Sequence, residues 1–161
     1  MNFTNIQNDT PPNCDCLENS TVALDKQFAR HMYKPTLRPQ DFYSKWEKWQ
    51  NNNAFPLDFD YNNCKEICGN KGVSIHIWEN TSRETIITEY LNNFKITGKA
   101  QNSILVFKLR LNAGAVVYTP QPTNAYHYDL YKDDDFLLDS VDGLEIILLK
   151  NYLEEDEKND R

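Results

Sequence analysis

The feature that most constrains the fold of this chain is the alternation of side-chain character at residues 73–78 and 104–111. Successive side chains of a β-strand point to opposite faces, so alternation with a period of two predicts strands with one buried face. Weaker strand patterns occupy five other segments, at residues 28–33, 95–100, 115–119, 125–131 and 144–150. The last segment is also compatible with a short helix, but the preceding Asp142-Gly143 pair is typical of a hairpin turn and favours a strand.

Two main helices are predicted between these strands. The first extends from residue 36 or 39 to residue 50, and its apolar stripe consists of Phe42, Trp46 and Trp49. The second is predicted to begin at Ser82, because residues 81–84 (TSRE) form a capping-box pattern followed by apolar residues at helical spacing. Early helices followed by a run of strands indicate an α+β fold with a largely antiparallel sheet of about five to seven strands.

The length and composition fit a single domain. A chain of 161 residues, 40% of them hydrophobic, is long enough to bury one stable core. We therefore predict a polar N-terminal arm at residues 1–20, one globular domain at residues 21–152 and a charged C-terminal tail at residues 153–161. The chain is also rich in asparagine, which is typical of an AT-rich bacterial or phage genome.

The charge and hydropathy patterns exclude several classes of partner. The formal net charge of −7 disfavours nucleic acid, whose phosphates require clustered Lys and Arg, and favours a basic protein partner. No apolar run is long enough to span a membrane, and the N-terminal segment lacks the charged and apolar regions of a secretion signal. For a full-length chain, these observations predict a cytoplasmic protein without a membrane partner.

All four cysteines occur in two close pairs, Cys14-x-Cys16 and Cys64-x3-Cys68. Four thiolates at such spacings can hold a structural zinc ion, which would also attach the N-terminal arm to the domain. The two alternatives are disulfides and unpaired thiols, and a reducing cytoplasm disfavours disulfides. None of the three alternatives points to catalysis.

The candidate catalytic residues lie on predicted strands. Arg30 and His31 lie on the first predicted strand, Ser74 on a later one and Glu145 on the last. In this order the chain resembles ADP-ribosyltransferase-type domains, which place an Arg or His on a first strand, a Ser or Tyr on a second and a Glu on a late strand, although the usual Ser-Thr-Ser context is absent. The resemblance implies an enzyme acting on a nucleotide-type substrate such as NAD. His127 is a further candidate, because it follows a proline-containing loop that could border a pocket.

Aromatic residues supply the candidate binding surface. They are Phe55, Phe59 and Tyr61 in one loop, and Tyr126 and Tyr128 on either side of His127. Exposed aromatic side chains often anchor protein interfaces, and the acidic charge around them suits a basic target. The sequence therefore favours a non-enzymatic protein-binding or inhibitory module of the immunity type, with the small nucleotide-directed enzyme as the alternative.

Overall fold

The computed structural model describes residues 1–52 and 57–154. Six strands of the described chain form one sheet: β1 (Gln27–Met32), β2 (Val73–Ile77), β3 (Ser103–Leu109), β4 (Gly114–Tyr118), β5 (His127–Lys132) and β6 (Val141–Leu148). Their order is β4-β5-β2-β1-β3-β6, and every neighbouring pair is antiparallel. The predicted α+β fold with a largely antiparallel sheet is confirmed.

The helices of the described residues are α1 (Thr4–Gln7), α2 (Lys45–Asn51), α3 (Cys64–Lys71) and α4 (Arg83–Asn93). The first predicted helix is divided in two: a 3₁₀ turn at Pro39–Phe42 is followed by α2. The division falls at Ser44, whose hydroxyl accepts a hydrogen bond from the Glu47 N–H at 3.1 Å, while the Glu47 carboxylate accepts one from the Ser44 N–H at 3.0 Å. This reciprocal pair begins a new helix.

Helix α4 begins where the sequence predicts it, but Ser82 stabilises its start in a different way. The Ser82 hydroxyl donates to the Ile77 carbonyl at 2.7 Å and makes no capping bond to the helix. It therefore ties the start of α4 to the end of β2. From there Ile86, Ile87 and Tyr90 are buried against the sheet.

The sheet has an apolar core on each face. On one face α4 packs on strand residues that include Ala29, Ile104, Val106 and Ile147. The opposite core is built from the alternate strand positions and from the connection before α2, with Phe28, Met32, Phe42, Ile75, Phe107 and Leu130 fully buried. The alternation predicts strands with one buried face, but helices and loops cover both faces of the sheet, so that six of the seven residues of β3 are buried.

Two local predictions are wrong. Residues 95–100 form no strand, and Asp142-Gly143 is no hairpin turn, because both residues lie inside β6. The extra residue there is absorbed by a bulge: Glu145 is opposite Val106, whereas Gly143 is opposite Phe107. A β-bulge places two residues of one strand against one of its partner, so an Asp-Gly pair can continue a strand.

The first residues of the chain are held against the domain by polar contacts. The Asp133 carboxylate accepts a hydrogen bond from the Asn2 N–H at 2.6 Å, and Asp134 accepts from the backbone of α1. The buried Lys71 ammonium donates to the Ile6 carbonyl at 2.9 Å and to the Asn8 carbonyl. Among the described residues, no helix has the length and apolar character needed to cross a membrane.

Candidate active site

A gap opens in the middle of the sheet because β1 and β2 pair over only two positions, the second being Ala29 opposite His76. Beyond this point β2 continues along β5, and β1 continues along β3. The guanidinium of Arg30 lies in the gap. Its Nη1 donates to the Ser74 carbonyl at 2.7 Å and its Nε donates to the Asp41 carbonyl, so two backbone oxygens hold it in place.

The gap leads into a cleft with two chambers, which have volumes of about 460 and about 330 Å³. Five residues line both chambers: Arg30, Lys45, Ser74, Gln121 and His127. Helices α2 and α3 border the larger chamber, and α4 borders the smaller one. The cleft is therefore bordered by the gap between β1 and β2 and by residues of α2, α3 and α4.

Ser74 and His127 form the central pair of the cleft. In the β2–β5 ladder Ser74 is opposite Asp129 and His76 is opposite His127, which places the four side chains on the same face. The Ser74 hydroxyl oxygen lies 3.0 Å from His127 Nε2. Ser74 is exposed and His127 is buried, so the hydroxyl is accessible while the imidazole behind it is shielded.

The proton position on His127 follows from its other contacts. His127 Nδ1 lies 2.9 Å from the Thr119 carbonyl oxygen, which can only accept a hydrogen bond, and 2.8 Å from the Thr119 hydroxyl. The proton of the neutral imidazole must therefore be on Nδ1. Nε2 then carries a lone pair that accepts the hydroxyl proton of Ser74, which is how a general base is placed beside a nucleophile.

Asp129 completes the chain of contacts behind His127. Burial raises the pKa of Asp129 to about 6, against the lowering effects of a hydrogen bond from the Thr119 side chain and of the Lys45 charge. When the Thr119 hydroxyl donates to Asp129, its oxygen can accept the Nδ1 proton of His127. The contacts thus run from Ser74 through His127 and Thr119 to Asp129.

His76 has one hydrogen-bonded nitrogen and one without a partner. Its Nδ1 lies 2.8 Å from the Tyr90 hydroxyl, whereas its Nε2 is buried and has no hydrogen-bond partner in the described structure. Burial, followed by the neighbouring His127 and Arg30, lowers the pKa of His76 to about 3. The ring is therefore neutral, and one polar atom in the wall of the smaller chamber is unsatisfied.

His31 lines the same chamber from β1. Its ring stacks on Phe94 with the centroids 3.5 Å apart, and its Nε2 accepts a hydrogen bond from the Asn102 amide at 2.9 Å. Burial, followed by the charges of Arg30 and Lys48, lowers the pKa of His31 to about 4. These contacts fix a neutral imidazole in the wall.

The larger chamber combines cations with an aromatic wall. Lys45 and Lys48 line it together with Arg30, and the carboxylates of Asp58, Glu66 and Asp129 lie along the same wall. Phe59 lines it as well, with its ring 5.5 Å from Trp46 and 4.4 Å from Tyr61. Charged and flat apolar surfaces therefore meet in one cavity.

The structure brings four of the five predicted catalytic residues together: Arg30, His31, Ser74 and His127. Glu145 is the exception. It is exposed on the edge strand β6, and although its register with Val106 places it on the face of Ser74, strands β1 and β3 lie between them. With strands about 4.8 Å apart, this separation is about 14 Å. Glu145 does not line either chamber.

The predicted binding residues fall in different places. Phe59 and Tyr61 lie beside the cleft, whereas Phe55 is outside the described residues. Tyr126 and Tyr128 line a separate groove with Trp78. The two groups of predicted binding residues therefore lie in two separate regions.

The four cysteines are paired in two disulfides, Cys14–Cys64 and Cys16–Cys68. The sequence leaves open zinc binding, disulfides and unpaired thiols, and the described structure contains the disulfides. The disulfides join the N-terminal segment to α3, so the expected attachment of the arm is present, but sulfur–sulfur bonds make it. Cys14, Cys16 and Cys68 also lie close enough together to hold a metal ion, with their sulfur atoms within 4.8 Å of one another.

Sequence reasoning did not single out Lys45 and Asp129, which line the larger chamber, or Thr119, which contacts His127. His127 and Asp129 are two apart on a strand, as are Ser74 and His76, so the alternation already places each pair on one face. What the sequence does not show is that β2 and β5 are neighbours. Comparison with protein-family models, curated proteins and solved structures finds no match to this chain.

Proposed function

We propose that the protein is a small enzyme that acts on a nucleotide-type substrate, with Ser74 as the nucleophile and His127 as the general base. The observation that carries this proposal is the 3.0 Å contact between Ser74 Oγ and His127 Nε2, with His127 oriented by the Thr119 carbonyl. A nucleophile, a base and a group that orients the base are the three elements of activated-hydroxyl catalysis. As Oγ attacks an electrophilic centre, its proton moves to Nε2, from which it can pass to the leaving group.

Three cations of the larger chamber can bind an anionic group of a substrate, although the carboxylates of Asp58, Glu66 and Asp129 line the same chamber. The whole chain carries a net charge of −7, yet Arg30, Lys45 and Lys48 line one chamber. Phosphate groups are bound by such clustered cations, because each charge-assisted hydrogen bond is stronger than a neutral one. The unsatisfied Nε2 of His76 adds a polar group that a ligand atom would satisfy.

The aromatic wall supports a planar group next to the phosphate. Phe59 lines the chamber that holds the cations, and its ring is supported by Trp46 and Tyr61. Stacking on an aromatic side chain is the common way of holding a base without reading its identity. This arrangement supports nucleotides, of which NAD is one, as the class of substrate.

Covalent labelling tests the proposal without knowledge of the natural substrate. The adenosine-bearing sulfonyl fluoride 5′-(p-fluorosulfonylbenzoyl)adenosine presents a base and an electrophile that a serine oxygen attacks with loss of fluoride. We expect peptide mapping by mass spectrometry to place the label on Ser74, and excess AMP to slow the labelling. Label on Tyr43 or Lys45 alone, with none on Ser74, would contradict the assignment of the nucleophile.

The matched variants are Ser74→Ala, His127→Gln and Ser20→Ala. The first removes the labelled oxygen, and the second is expected to slow labelling by about 10²- to 10⁴-fold, the usual contribution of general base catalysis. Ser20 lies outside the cleft, so its variant should be labelled at the rate of the natural chain. Equal rates in the natural and His127→Gln chains would exclude His127 as the base.

A protein-binding or inhibitory role, as expected from the sequence, is a second proposal. The observation that favours it is Tyr61, whose side chain is 59% exposed next to Phe59 on an acidic protein. A basic partner would be tested with Tyr61→Ala in a binding assay at low and high salt. If Tyr61→Ala leaves the affinity of a captured basic partner unchanged, this aromatic pair is not its anchor.

The structural zinc and the cytoplasmic location predicted from the sequence also remain proposals. They belong together, because a disulfide sulfur is not a thiolate and only a reduced chain offers thiolate ligands. In a reducing cytoplasm the cysteines would be available to a metal ion, whereas an oxidising compartment favours the disulfides of the described structure.

A further inference from the structure

The two disulfides lie next to each other in one cluster of cysteines, so that sulfurs of different bridges are also close together. Cys68 Sγ, which is bonded to Cys16, lies 3.7 Å from Cys14 Sγ and 3.8 Å from Cys64 Sγ. Cys14 and Cys64 are themselves bonded. Cys68 Sγ therefore lies close to both sulfurs of the Cys14–Cys64 bridge, and the sulfurs of Cys14, Cys16 and Cys68 lie within 4.8 Å of one another.

Two of these separations match the distance between sulfurs in a tetrahedral zinc site. A Zn–S bond of about 2.3 Å gives a distance of about 3.8 Å between any two sulfurs of a four-cysteine site. The Cys14–Cys68 and Cys64–Cys68 distances already have this value. The two bonded pairs have Cα–Cα distances of 5.4 and 5.2 Å, so rotation of the side chains about χ1 can separate their sulfurs once the bonds are broken.

The backbone around the cluster is held by contacts that do not depend on the disulfides. Cys64 and Cys68 are one turn apart on α3, and Ile6 and Tyr131 pack against the cluster. The Tyr131 hydroxyl donates to the Cys68 carbonyl at 3.0 Å. On the other side of the cluster, Lys71 binds the carbonyls of Ile6 and Asn8. Reduction would therefore leave the four thiols near one another.

We propose that the cysteine cluster is a two-state site, with two disulfides under oxidising conditions and one zinc ion bound by Cys14, Cys16, Cys64 and Cys68 under reducing conditions. Conversion needs a dithiol reductant: two dithiol molecules supply four electrons and four protons, become disulfides themselves and leave four cysteine thiols. Zn²⁺ then displaces the four thiol protons. Four thiolate ligands close the coordination shell, so the role of the ion is structural.

The choice of zinc follows from the ligand chemistry. Thiolates are soft ligands that select zinc over magnesium or calcium, and zinc accepts tetrahedral geometry without strain. The site is separate from the cleft, because none of the four cysteines lines either chamber. The inference therefore does not depend on the proposed enzymatic function.

Cobalt(II) titration of the full chain tests the inference. The chain is reduced with a dithiol, freed of reductant without oxygen and titrated with Co²⁺, which shows thiolate-to-metal charge-transfer bands and tetrahedral d–d bands. We expect saturation at one ion per chain, and loss of both bands when one equivalent of Zn²⁺ is added. The oxidised chain should show neither band. A reduced chain without the bands, or an oxidised chain that develops them, would overturn the proposal.

Two cysteine variants and one control locate the site. Cys68→Ser removes the sulfur nearest to the others, Cys64→Ser removes a less buried ligand, and both should lose the four-thiolate spectrum. His127→Gln should retain it, because His127 lies in the cleft. If reduction unfolds the chain, refolding followed by circular dichroism takes the place of the cobalt titration. Zn²⁺ should then restore the folded spectrum of the natural chain but not that of Cys68→Ser. A reduced, unfolded chain that Zn²⁺ does not refold would also overturn the proposal.

Discussion

His76 and His127 are directly opposite each other on β2 and β5, with their ring centroids 5.3 Å apart. Two imidazolium charges at this distance repel, and burial already disfavours each charge. Burial lowers the pKa of both rings, and that of His76 falls to about 3. The pair is therefore neutral near pH 7, which leaves His127 able to accept a proton.

The first prediction concerns acid stability. His76 and His31 have pKa values of about 3 and about 4 in the folded chain, below the ordinary value near 6.5, so the unfolded chain binds more protons as the pH falls. Stability is then complete above about pH 6.5 and decreases towards about pH 4. Asp129 acts in the opposite direction, because it protonates near pH 6 in the folded chain. For these three groups the net effect below about pH 6 is roughly one proton, or about 1.4 kcal/mol per pH unit, and the lowered pKa of His127 acts in the same direction as those of His76 and His31.

Urea unfolding at several pH values between 7 and 4 measures this slope. His76→Gln removes a group that takes up a proton only when the chain unfolds, so the free energy of unfolding should depend less steeply on pH. Asp129→Asn removes the group that acts in the opposite direction, so this dependence should become steeper. Opposite signs for the two variants are the distinctive outcome. If both variants change the slope in the same direction, the assignment of these pKa shifts is wrong.

The second prediction concerns the approach of Gly72 to Asp129. A Cβ atom at residue 72 would lie 2.8 Å from the Asp129 Cβ, whereas one at Gly69 would meet nothing within 4 Å. We expect Gly72→Ala to destabilise the chain by about 1–3 kcal/mol, as overpacking does, and to slow Ser74 labelling by displacing Asp129. Gly69→Ala, inside α3, should be neutral or stabilising by up to about 1 kcal/mol. Thermal unfolding of both variants makes the comparison, and equal stability would contradict the close approach.

The third prediction concerns the stability that is lost when the first and then the second disulfide is removed. Both bridges close nearly the same loop, with sequence separations of 50 and 52. In the chain-entropy description, removal of either one reopens only a residual loop of about eight residues and costs about 2–3 kcal/mol, whereas removal of the second costs about 4 kcal/mol. Chemical unfolding of Cys14→Ser/Cys64→Ser, of Cys16→Ser/Cys68→Ser and of the fourfold variant measures this. A second removal that costs less than the first would contradict the shared loop.

The fourth prediction concerns the pH dependence of Ser74 labelling. Because burial lowers the pKa of His127, its Nε2 remains available below the ordinary pKa of histidine near 6.5. The labelling rate should be flat at neutral pH and fall with a midpoint below 6.5. Thr119→Val removes the side-chain contact but keeps the backbone carbonyl at 2.9 Å, so we expect a smaller loss than in His127→Gln. A midpoint above 6.5 would show that His127 is not the titrating base.

The positions of strands β2 and β3 could be predicted because alternation is a local property. The segments predicted at residues 73–78 and 104–111 contain β2 and most of β3, but β3 ends at Leu109 and is buried on both faces, and Leu111 is exposed. The bulge in β6 and the division of the first helix at Ser44 were missed, because a bulge depends on the partner strand and the helix start depends on the reciprocal bonds of Ser44 and Glu47.

The sequence by itself determined the α+β class, the face on which each strand residue lies, and the grouping of Ser74 with His76 and of His127 with Asp129. Only the tertiary structure decided that β2 lies beside β5 and that β1 parts from β2 at Arg30. It also decided that Glu145 lies on a distant edge strand and that Cys14 pairs with Cys64. The physical reason is that strand order and sulfur pairing depend on contacts between residues about 50 positions apart, whose energies no local pattern contains.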